Sequence, residues 1–259
     1  MNVVQALLGT RIRKPRSLSR EELRALWEFR LGQIDLRPDV SREEDFEAFV
    51  RDFDVDGRVW YLLERGKPVG MYLQAVRLVE HGGQRLVVGA PDYVFMARHL
   101  RRHPALALGV AWLTVWPMLR HPLRRPVMTG GVYPSSYIGW RRMVERCFSL
   151  GDPSLSEDER ELVARLGPLI WGEAWVGDGT LQFRTIPEAS RPRSELGVRL
   201  FEAYEAMNPE WRTGRALFFA SPMGLRDVGL GLQRALFSKR RTAGASLAPA
   251  GAAGRANAE

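Results

Sequence analysis

Residues 84–105, QRLVVGAPDYVFMARHLRRHPA, contain the change from strand to helix that decides the fold. The first fourteen of them are rich in β-branched and aromatic residues and predict a strand. Gly89 and Pro91 interrupt this strand, and because proline has no N–H for a strand ladder, they predict a bulge or a splay there. Pro104 suits the first turn of a helix, where its missing N–H would find no partner in any case. We therefore expect a strand that opens, a basic turn and then a helix.

Two strands before this stretch and one after it build the rest of the expected sheet. Residues 58–65 and 68–81 are strand formers separated by the turn Gly66-Lys67-Pro68. Residues 125–133 follow the helix as a further strand. A strand, a helix and a strand in this order require a parallel pair with a right-handed crossover. The expected fold class is therefore α/β, with a mixed, mostly antiparallel twisted sheet flanked by helices.

Serine and glutamate three residues apart mark three helix starts, because the serine oxygen accepts a free backbone N–H and the glutamate reaches back to the cap. These capping boxes are Ser19 with Glu22, Ser41 with Glu44, and Ser156 with Glu159. The first two helices carry apolar stripes at helical spacing, so we expect both to pack on the sheet. The third is expected to stop near Gly167-Pro168, and a further helix is predicted over 134–147.

The second half of the chain mixes helices and strands. Gly177-Asp178-Gly179 predicts a turn between two short strands. Helices are predicted over 193–207 and 223–238, with a strand over 214–220 between them.

These elements suggest three parts of the chain. Residues 1–150 are expected to form the core, and residues 151–237 a C-terminal α+β extension packed on it. Residues 238–259 consist of small residues, proline and a few charges without an apolar pattern, which is typical of a disordered tail.

The formal net charge of +8 belongs to one segment. Residues 1–92 carry 15 basic and 15 acidic side chains, and residues 145–259 also carry 15 of each. The segment between them has no Asp or Glu and eight arginines: Arg98, Arg101, Arg102, Arg120, Arg124, Arg125, Arg141 and Arg142. A local excess of this kind indicates an anionic partner such as phosphate, nucleic acid, acidic lipid or an acidic protein. A solvated basic face is the alternative.

Several chemistries are disfavoured by what the sequence lacks. A single cysteine, Cys147, excludes an internal disulfide and suits a reducing cytoplasm. The four histidines show no zinc-ligand spacing, so no metal site is expected. No GxSxG, Walker or GxGxxG motif occurs, which argues against hydrolases and nucleotide-binding enzymes of those types. The basic residues come without a nucleic-acid-reading motif, so nucleic acid is not an expected partner.

Residues 104–119, PALALGVAWLTVWPML, contain no charged residue. The stretch is too short to cross a bilayer, which takes about 20 residues. We interpret it as a buried helix, with interfacial membrane contact supported by the flanking arginines as the alternative. The expected location is therefore the cytoplasm, with membrane association as the second option.

The order of elements over residues 8–150 resembles the core of the GCN5-related N-acetyltransferase (GNAT) superfamily. The shared features are two N-terminal helices, an antiparallel run of strands, a long strand reaching the turn RHLRRHPAL at 98–106, a helix from this turn, a strand, and the PSSY helix of 134–147. The turn lacks glycine, and the members closest in layout, the acyl-homoserine lactone synthases and long-chain N-acyl amino acid synthases, also have glycine-poor loops there. The resemblance implies acyl transfer from a thioester to an amine.

The resemblance also implies where the thioester binds. In the superfamily two strands splay apart, the donor lies in the gap, and its pyrophosphate sits at the start of the next helix. The implied donor-binding residues are Tyr93, Val94, Phe95, Met96, Arg98, Arg101, Arg102, His103 and Ala105. The family's phosphate loop normally contains glycine, whereas Pro104 has no N–H to offer. Arginine side chains would then replace backbone contacts, or the coenzyme A site has been lost.

Two residues fall where the resembling enzymes place their acid and base. Asp92 would take the proton of the amine, directly or through water, and Tyr137 would protonate the leaving thiolate. Tyr133 is a second candidate for the acid. The structural alternatives are that Asp92 is a bulge residue and that Tyr137 is an ordinary aromatic at a helix start.

The function expected from the sequence is an N-acyltransferase that moves an acyl group, with a long chain as one option, from acyl-CoA or acyl carrier protein to a small-molecule amine. No permanently bound cofactor is expected. The alternative is a catalytically degenerate GNAT-like protein that binds an acidic protein or a membrane surface through its basic 93–144 segment.

Overall fold

A seven-stranded sheet organises the computed structural model, which describes residues 9–100, 103–144, 146–186, 192 and 194–237. The strands are β1 (Thr10–Arg13), β2 (Asp35–Leu36), β3 (Gly57–Glu64), β4 (Lys67–His81), β5 (Gln84–Met96), β6 (Arg125–Val132), β7 (Thr180–Gln182), β8 (Thr185–Ile186) and β9 (Arg215–Pro222). The order across the large sheet is β1-β3-β4-β5-β6-β9-β7, and β2 pairs with β8 in a small second sheet. β5 and β6 run parallel, and all the other paired strands are antiparallel. The expected fold class is confirmed.

Seven α-helices surround this sheet within the described residues: α1 (Arg20–Leu31), α2 (Arg42–Asp52), α3 (Pro104–Arg120), α4 (Pro134–Met143), α5 (Glu157–Trp171), α6 (Glu195–Met207) and α7 (Leu225–Phe237). The three predicted capping boxes are present at the starts of α1, α2 and α5. Each satisfies two backbone N–H groups, that of the serine and that of the glutamate, which would otherwise have no partner at the helix start.

Alternate residues along the strands pack against two different sets of helices. On β4, Leu73 packs with α1 and α2, whereas its neighbour Tyr72 packs with α3. On β6, Val127 packs with α5, whereas Met128 packs with α4 and α6. Gln74 lies on the same face as Tyr72 and approaches Met128, with 3.6 Å between Nε2 and Sδ. Since successive side chains of a strand point to opposite faces, α1, α2 and α5 lie on one face and α3, α4 and α6 on the other.

One glycine sets the distance between α3 and the sheet. A Cβ atom at Gly109 would stand 2.8 Å from the indole ring of Trp60 on β3. The helix backbone therefore rests directly on a large buried ring, which any side chain at this position would displace.

Two helix ends differ from the sequence-based expectations. The helix predicted over 134–147 ends at Met143, because Val144 is extended (φ −113°, ψ 144°) and the chain leaves the helix there. α5 continues past Pro168 to Trp171. A proline this close to the helix end removes one intrahelical hydrogen bond without stopping the last turn.

The later part of the chain extends the same sheet. β9 pairs with β6 over Val127–Val132, and β7 pairs with the other side of β9. The division into a core of residues 1–150 and an extension of residues 151–237 remains a prediction. Residues 238–259, predicted as a tail, lie outside the described residues.

None of the helices in the described part of the chain combines the length and the apolar character needed to cross a bilayer.

Candidate active site

The two parallel strands at the centre of the sheet separate after four residue pairs. Leu86–Gly89 of β5 pairs with Arg125–Met128 of β6. Beyond that point β6 pairs only with β9 on its other side, and β5 pairs only with β4, among the described residues. The opening predicted from Gly89 and Pro91 is therefore confirmed at Gly89. Pro91, without a backbone donor, lies two residues further along β5.

A β-bulge bends β5 just beyond the opening. Leu73 of β4 lies opposite Asp92 and Met71 opposite Phe95, so that Tyr93 and Val94 share one partner position. Tyr93 has a φ of +50°, the left-handed region that side chains rarely adopt. Such a conformation costs about 1–3 kcal/mol and persists where surrounding contacts enforce it.

The side chain of Tyr93 is anchored by aromatic contacts under α2. Its ring centroid lies 4.8 Å from that of Phe49 and 6.0 Å from that of Phe53. Its hydroxyl donates a hydrogen bond to the carboxylate of Asp52 at the end of α2. These contacts fix the bulge from one face of the sheet.

Arg184, in the short segment between β7 and β8, ties this anchor to the rest of α2. Its Nη2 donates to Asp52 Oδ2 at 2.7 Å and to the Tyr93 hydroxyl at 3.1 Å. Its Nε donates to Asp45 Oδ1 at 3.1 Å. A residue from late in the chain thus links α2 to the bulge of β5.

Asp45 is completely buried and carries further charged partners. Arg30 of α1 donates to both carboxylate oxygens, and Trp27 Nε1 donates to Oδ2 at 2.7 Å. Burial alone would raise the pKa of Asp45, but the hydrogen bonds and charge of Arg30 hold it below its ordinary value. Asp45 is therefore an ionised structural group.

Asp92 lies at the edge of the opening in a different environment. Its Oδ1 accepts the N–H of Tyr93 at 2.8 Å. Burial raises the pKa of Asp92 to about 7, and the negative charge of Asp52 adds to this, against the opposing effects of the Tyr93 N–H and of the charges of Arg30 and Arg184. A carboxylate with a pKa near neutral pH suits a general base.

Tyr137 and Tyr133 differ in what their hydroxyls do. Tyr137, in the first turn of α4, is buried with its ring centroid 5.4 Å from that of Tyr204, and burial raises its pKa. Tyr133 precedes α4, and its hydroxyl faces the carbonyl oxygens of Thr185 at 2.8 Å and Gly214 at 3.2 Å. Its proton is engaged in holding β8, which makes Tyr133 the weaker acid candidate.

The structure does not join Asp92 to Tyr137 directly. Asp92 lies opposite Leu73, which packs with α1 and α2, whereas Tyr137 packs in the cluster of α4, α6 and β9 on the other face. Among the described residues, no hydrogen bond links the two side chains. A substrate in the opening would have to lie between them.

The predicted phosphate end of the site begins at α3. His103 is the N-cap, and its Nδ1 accepts the N–H of Ala105 at 3.2 Å. Since Pro104 has no N–H, the first free donor that a phosphate would meet is already used by the imidazole. Arg98 is exposed on the short turn before this helix. Arg101 and Arg102 lie outside the described residues.

The remaining predicted donor contacts run along β5. Val94 is 49% exposed, Phe95 is half-buried, and Met96 is buried against α3. Among the described residues, no group of three or more His, Cys, Asp or Glu side chains is arranged to hold a metal ion.

Sequence reasoning missed the charged residues around the opening. Asp45 and Asp52 flank Phe49 at positions i, i+4 and i+7 of a helix, so two carboxylates on the buried side of α2 were a readable signal. Arg30 on the buried side of α1 was another. Arg184 had no such signal, because it lies in an irregular segment far away in sequence.

The known proteins to which this chain is similar are solved structures. No protein-family model and no curated protein matches the chain. One similar structure is the aminoglycoside N-acetyltransferase AAC(6')-Iy in complex with CoA, at 15% identity over 51% of this chain and 82% of that chain, with a TM-score of 0.37.

Two further structures were found. A GNAT-family acetyltransferase from Staphylococcus aureus has 10% identity over 83% of this chain and 99% of that chain, with a TM-score of 0.42. A GCN5-related N-acetyltransferase from Anabaena variabilis has 15% identity over 54% of this chain but only 32% of that chain, with a TM-score of 0.37. All three of these structures are described as acetyltransferases.

Proposed function

We propose that this protein is a GNAT-type N-acyltransferase that moves an acyl group from a thioester donor to a small-molecule amine. The observation that carries the proposal is the opening between β5 and β6, with Asp92 at its edge and the start of α3 at its end. An opened strand leaves backbone groups without a ladder partner, and such groups can polarise a thioester carbonyl.

The donor lies along Tyr93, Val94, Phe95 and Met96 in this proposal. Its phosphates meet Arg98, Arg101, Arg102, His103 and Ala105. Binding of a phosphate at the Ala105 N–H requires the His103 imidazole to turn away from its capping position. The donor is acyl-CoA or acyl carrier protein, and the basic 93–144 segment suits either anion. A long acyl chain, as in the synthases of similar layout, would run beside α3.

The proposed reaction takes one proton from the amine and gives one proton to the departing thiolate. The amine gives a proton to the Asp92 carboxylate, directly or through water, and its nitrogen attacks the thioester carbonyl carbon. The tetrahedral intermediate then expels the thiolate, which takes the phenolic proton of Tyr137. A tyrosine is protonated at neutral pH, and burial raises the pKa of Tyr137 further, so it has a proton to donate.

Donor binding and thiol release test this function together. Purified protein is mixed with acyl-CoA of increasing chain length and with acyl carrier protein, in the presence of candidate amines, and free thiol is followed. We expect thiol release that falls at least about 100-fold in Asp92→Asn. The exposed Asp54 offers a matched control, since Asp54→Asn removes the same charge away from the opening. Equal rates for wild type and Asp92→Asn would contradict the assignment of the base.

A catalytically degenerate protein is the second candidate. The observation in its favour is that His103 occupies the Ala105 N–H and that the turn contains no glycine. This candidate predicts that no thioester binds, while acidic proteins or anionic surfaces still associate with the 93–144 segment in a salt-sensitive way.

A further inference from the structure

The outer side of α3 is apolar where a surface helix normally carries polar residues. Residues 104–119 include no charged side chain, and the one hydroxyl, that of Thr114, is buried and donates to the Val110 carbonyl oxygen at 2.8 Å. The inner side already has its partners, since Ala105 and Leu113 are buried against the sheet. The apolar residues on the outer side are therefore not needed to pack α3 on the sheet.

Four residues at helical spacing form a continuous stripe on this outer side. Leu108 is 42% exposed, Trp112 49% and Leu119 60%, and Trp116 is half-buried between them. Leu123, just beyond the helix, is 91% exposed. These five residues are called the α3 stripe below. A contiguous apolar surface of this kind usually marks an interaction site.

Arginines surround the C-terminal half of the α3 stripe. The guanidinium carbon of Arg58, from β3, lies 4.3 Å from the centroid of the Trp116 ring, and that of Arg120 lies 5.9 Å from it. Arg124 and Arg125 follow Leu123 in the chain, but their guanidinium groups donate to the Leu86 carbonyl oxygen at 3.3 Å and to Gln84 Oε1 at 2.9 Å, at the start of β5. No Asp or Glu occurs from residue 93 to 144. Arg58 of β3 and Arg120 of α3 thus give the stripe a cationic border.

We propose that the α3 stripe and its arginine border form a docking surface for an anionic lipid bilayer, with α3 lying in the plane of the headgroups. Leucine side chains enter the acyl region, tryptophan rings favour the interface, and arginines meet lipid phosphates. A second copy of this chain fits less well, because a two-fold contact through the stripe would enclose two arginine borders in one interface, and residues 93–144 supply no acidic side chain to pair with them. This inference does not depend on the proposed enzymatic function.

Vesicle flotation with the full-length protein tests this surface. Vesicles of phosphatidylcholine and phosphatidylglycerol at three to one are compared with phosphatidylcholine alone. We expect the protein to float with the anionic vesicles only, and less at high salt. Leu119→Gln and Trp112→Gln are each expected to weaken binding on the order of ten-fold. Arg120→Gln is expected to weaken it about five-fold, the contribution of one basic residue near an anionic surface.

Matched controls lie on α5, which packs on the opposite face of the sheet. Leu169 is 53% exposed there and Arg165 is also exposed, so Leu169→Gln and Arg165→Gln remove the same groups from the other side. Circular dichroism confirms that each variant is folded. Neither control should change flotation.

Three results would overturn the proposal. The first is that the wild-type protein does not float with anionic vesicles, whether or not it binds an acidic carrier protein. The second is flotation that is unchanged in both Leu119→Gln and Trp112→Gln. The third is a dimer in size-exclusion chromatography that Leu119→Gln converts to a monomer, since the stripe would then be covered by a second copy.

Discussion

Asp92→Asn should stabilise the protein more at alkaline than at acidic pH, and this test does not require a substrate. Burial, helped by the charge of Asp52, raises the pKa of Asp92 to about 7 in the folded protein. In the unfolded chain the pKa of an aspartate is about 3.9. Between these values the folded protein holds a proton that the unfolded chain has lost. The stability linked to this proton is fully present below about pH 4 and is lost as pH rises to 7.

The size of the effect follows from the pKa difference. Of the range from pH 5 to pH 8.5, the two units between pH 5 and pH 7 are those in which only the folded state keeps the proton. Each of these units lowers the free energy of unfolding of the wild type by about 1.4 kcal/mol. The contribution of Asp92 to the free energy of unfolding therefore falls by about 2.7 kcal/mol. Asparagine does not titrate, and its side-chain oxygen can still accept the Tyr93 N–H that Asp92 binds at 2.8 Å.

Urea denaturation at pH 5 and pH 8.5 measures this difference. The free energy of unfolding of Asp92→Asn, minus that of the wild type, should rise by about 2.7 kcal/mol between the two pH values. Asp54→Asn is the control, because the Asp54 side chain is 75% exposed and pairs only with Arg16 at the surface. A difference for Asp92→Asn that stays constant or falls with pH would refute the assignment of a raised pKa.

Three further predictions concern the site and its supports. Tyr137→Phe should lower kcat about 100-fold with little change in stability, whereas Tyr133→Phe should lower the free energy of unfolding by about 1 kcal/mol with little change in kcat. Thiol-release kinetics measure the first effect and urea denaturation the second. Two variants that behave alike in both measurements would contradict these roles. Asp45→Asn should destabilise the protein by about 3–5 kcal/mol, because it leaves a buried guanidinium without its counterion, and a loss below 1 kcal/mol in urea would show that this ion pair is not structural. Gly109→Ala should overpack the tryptophan beneath α3, which costs about 1–3 kcal/mol in the free energy of unfolding and lowers the thermal midpoint. Gly139→Ala is the control, because its Cβ meets open space, and it should leave the thermal midpoint unchanged or slightly raised.

Local sequence signals were sufficient for most helices and strands. The three capping boxes and the strand opening at Gly89 and Pro91 depend on groups close together in the chain, so their hydrogen-bonding capacity could be judged residue by residue. The end of the helix that begins at Pro134 was misjudged, because the chain beyond it is drawn into a bridge between Phe148 and Ala220. Pairing with a distant strand overrides local helix propensity.

The candidate site was predictable only on its β5 side. The sequence placed Asp92 at the opening, since Pro91 marked the position. It could not show that Asp52, at the end of a surface helix, would raise the pKa of Asp92. Nor could it show that Arg184 would bind Asp52 and Tyr93 together, because that contact joins residues about 90 to 130 positions apart.

The sequence by itself determined the element order, the opening of β5 and the confinement of the net charge to residues 93–144. These features follow from residue type and spacing, which act over a few residues. Only the tertiary structure decided that Asp45 is an ionised support and Asp92 a carboxylate with a pKa near 7, and that one side of α3 remains exposed. Burial and the charges brought alongside a group set its ionisation and exposure, and both depend on packing between distant parts of the chain.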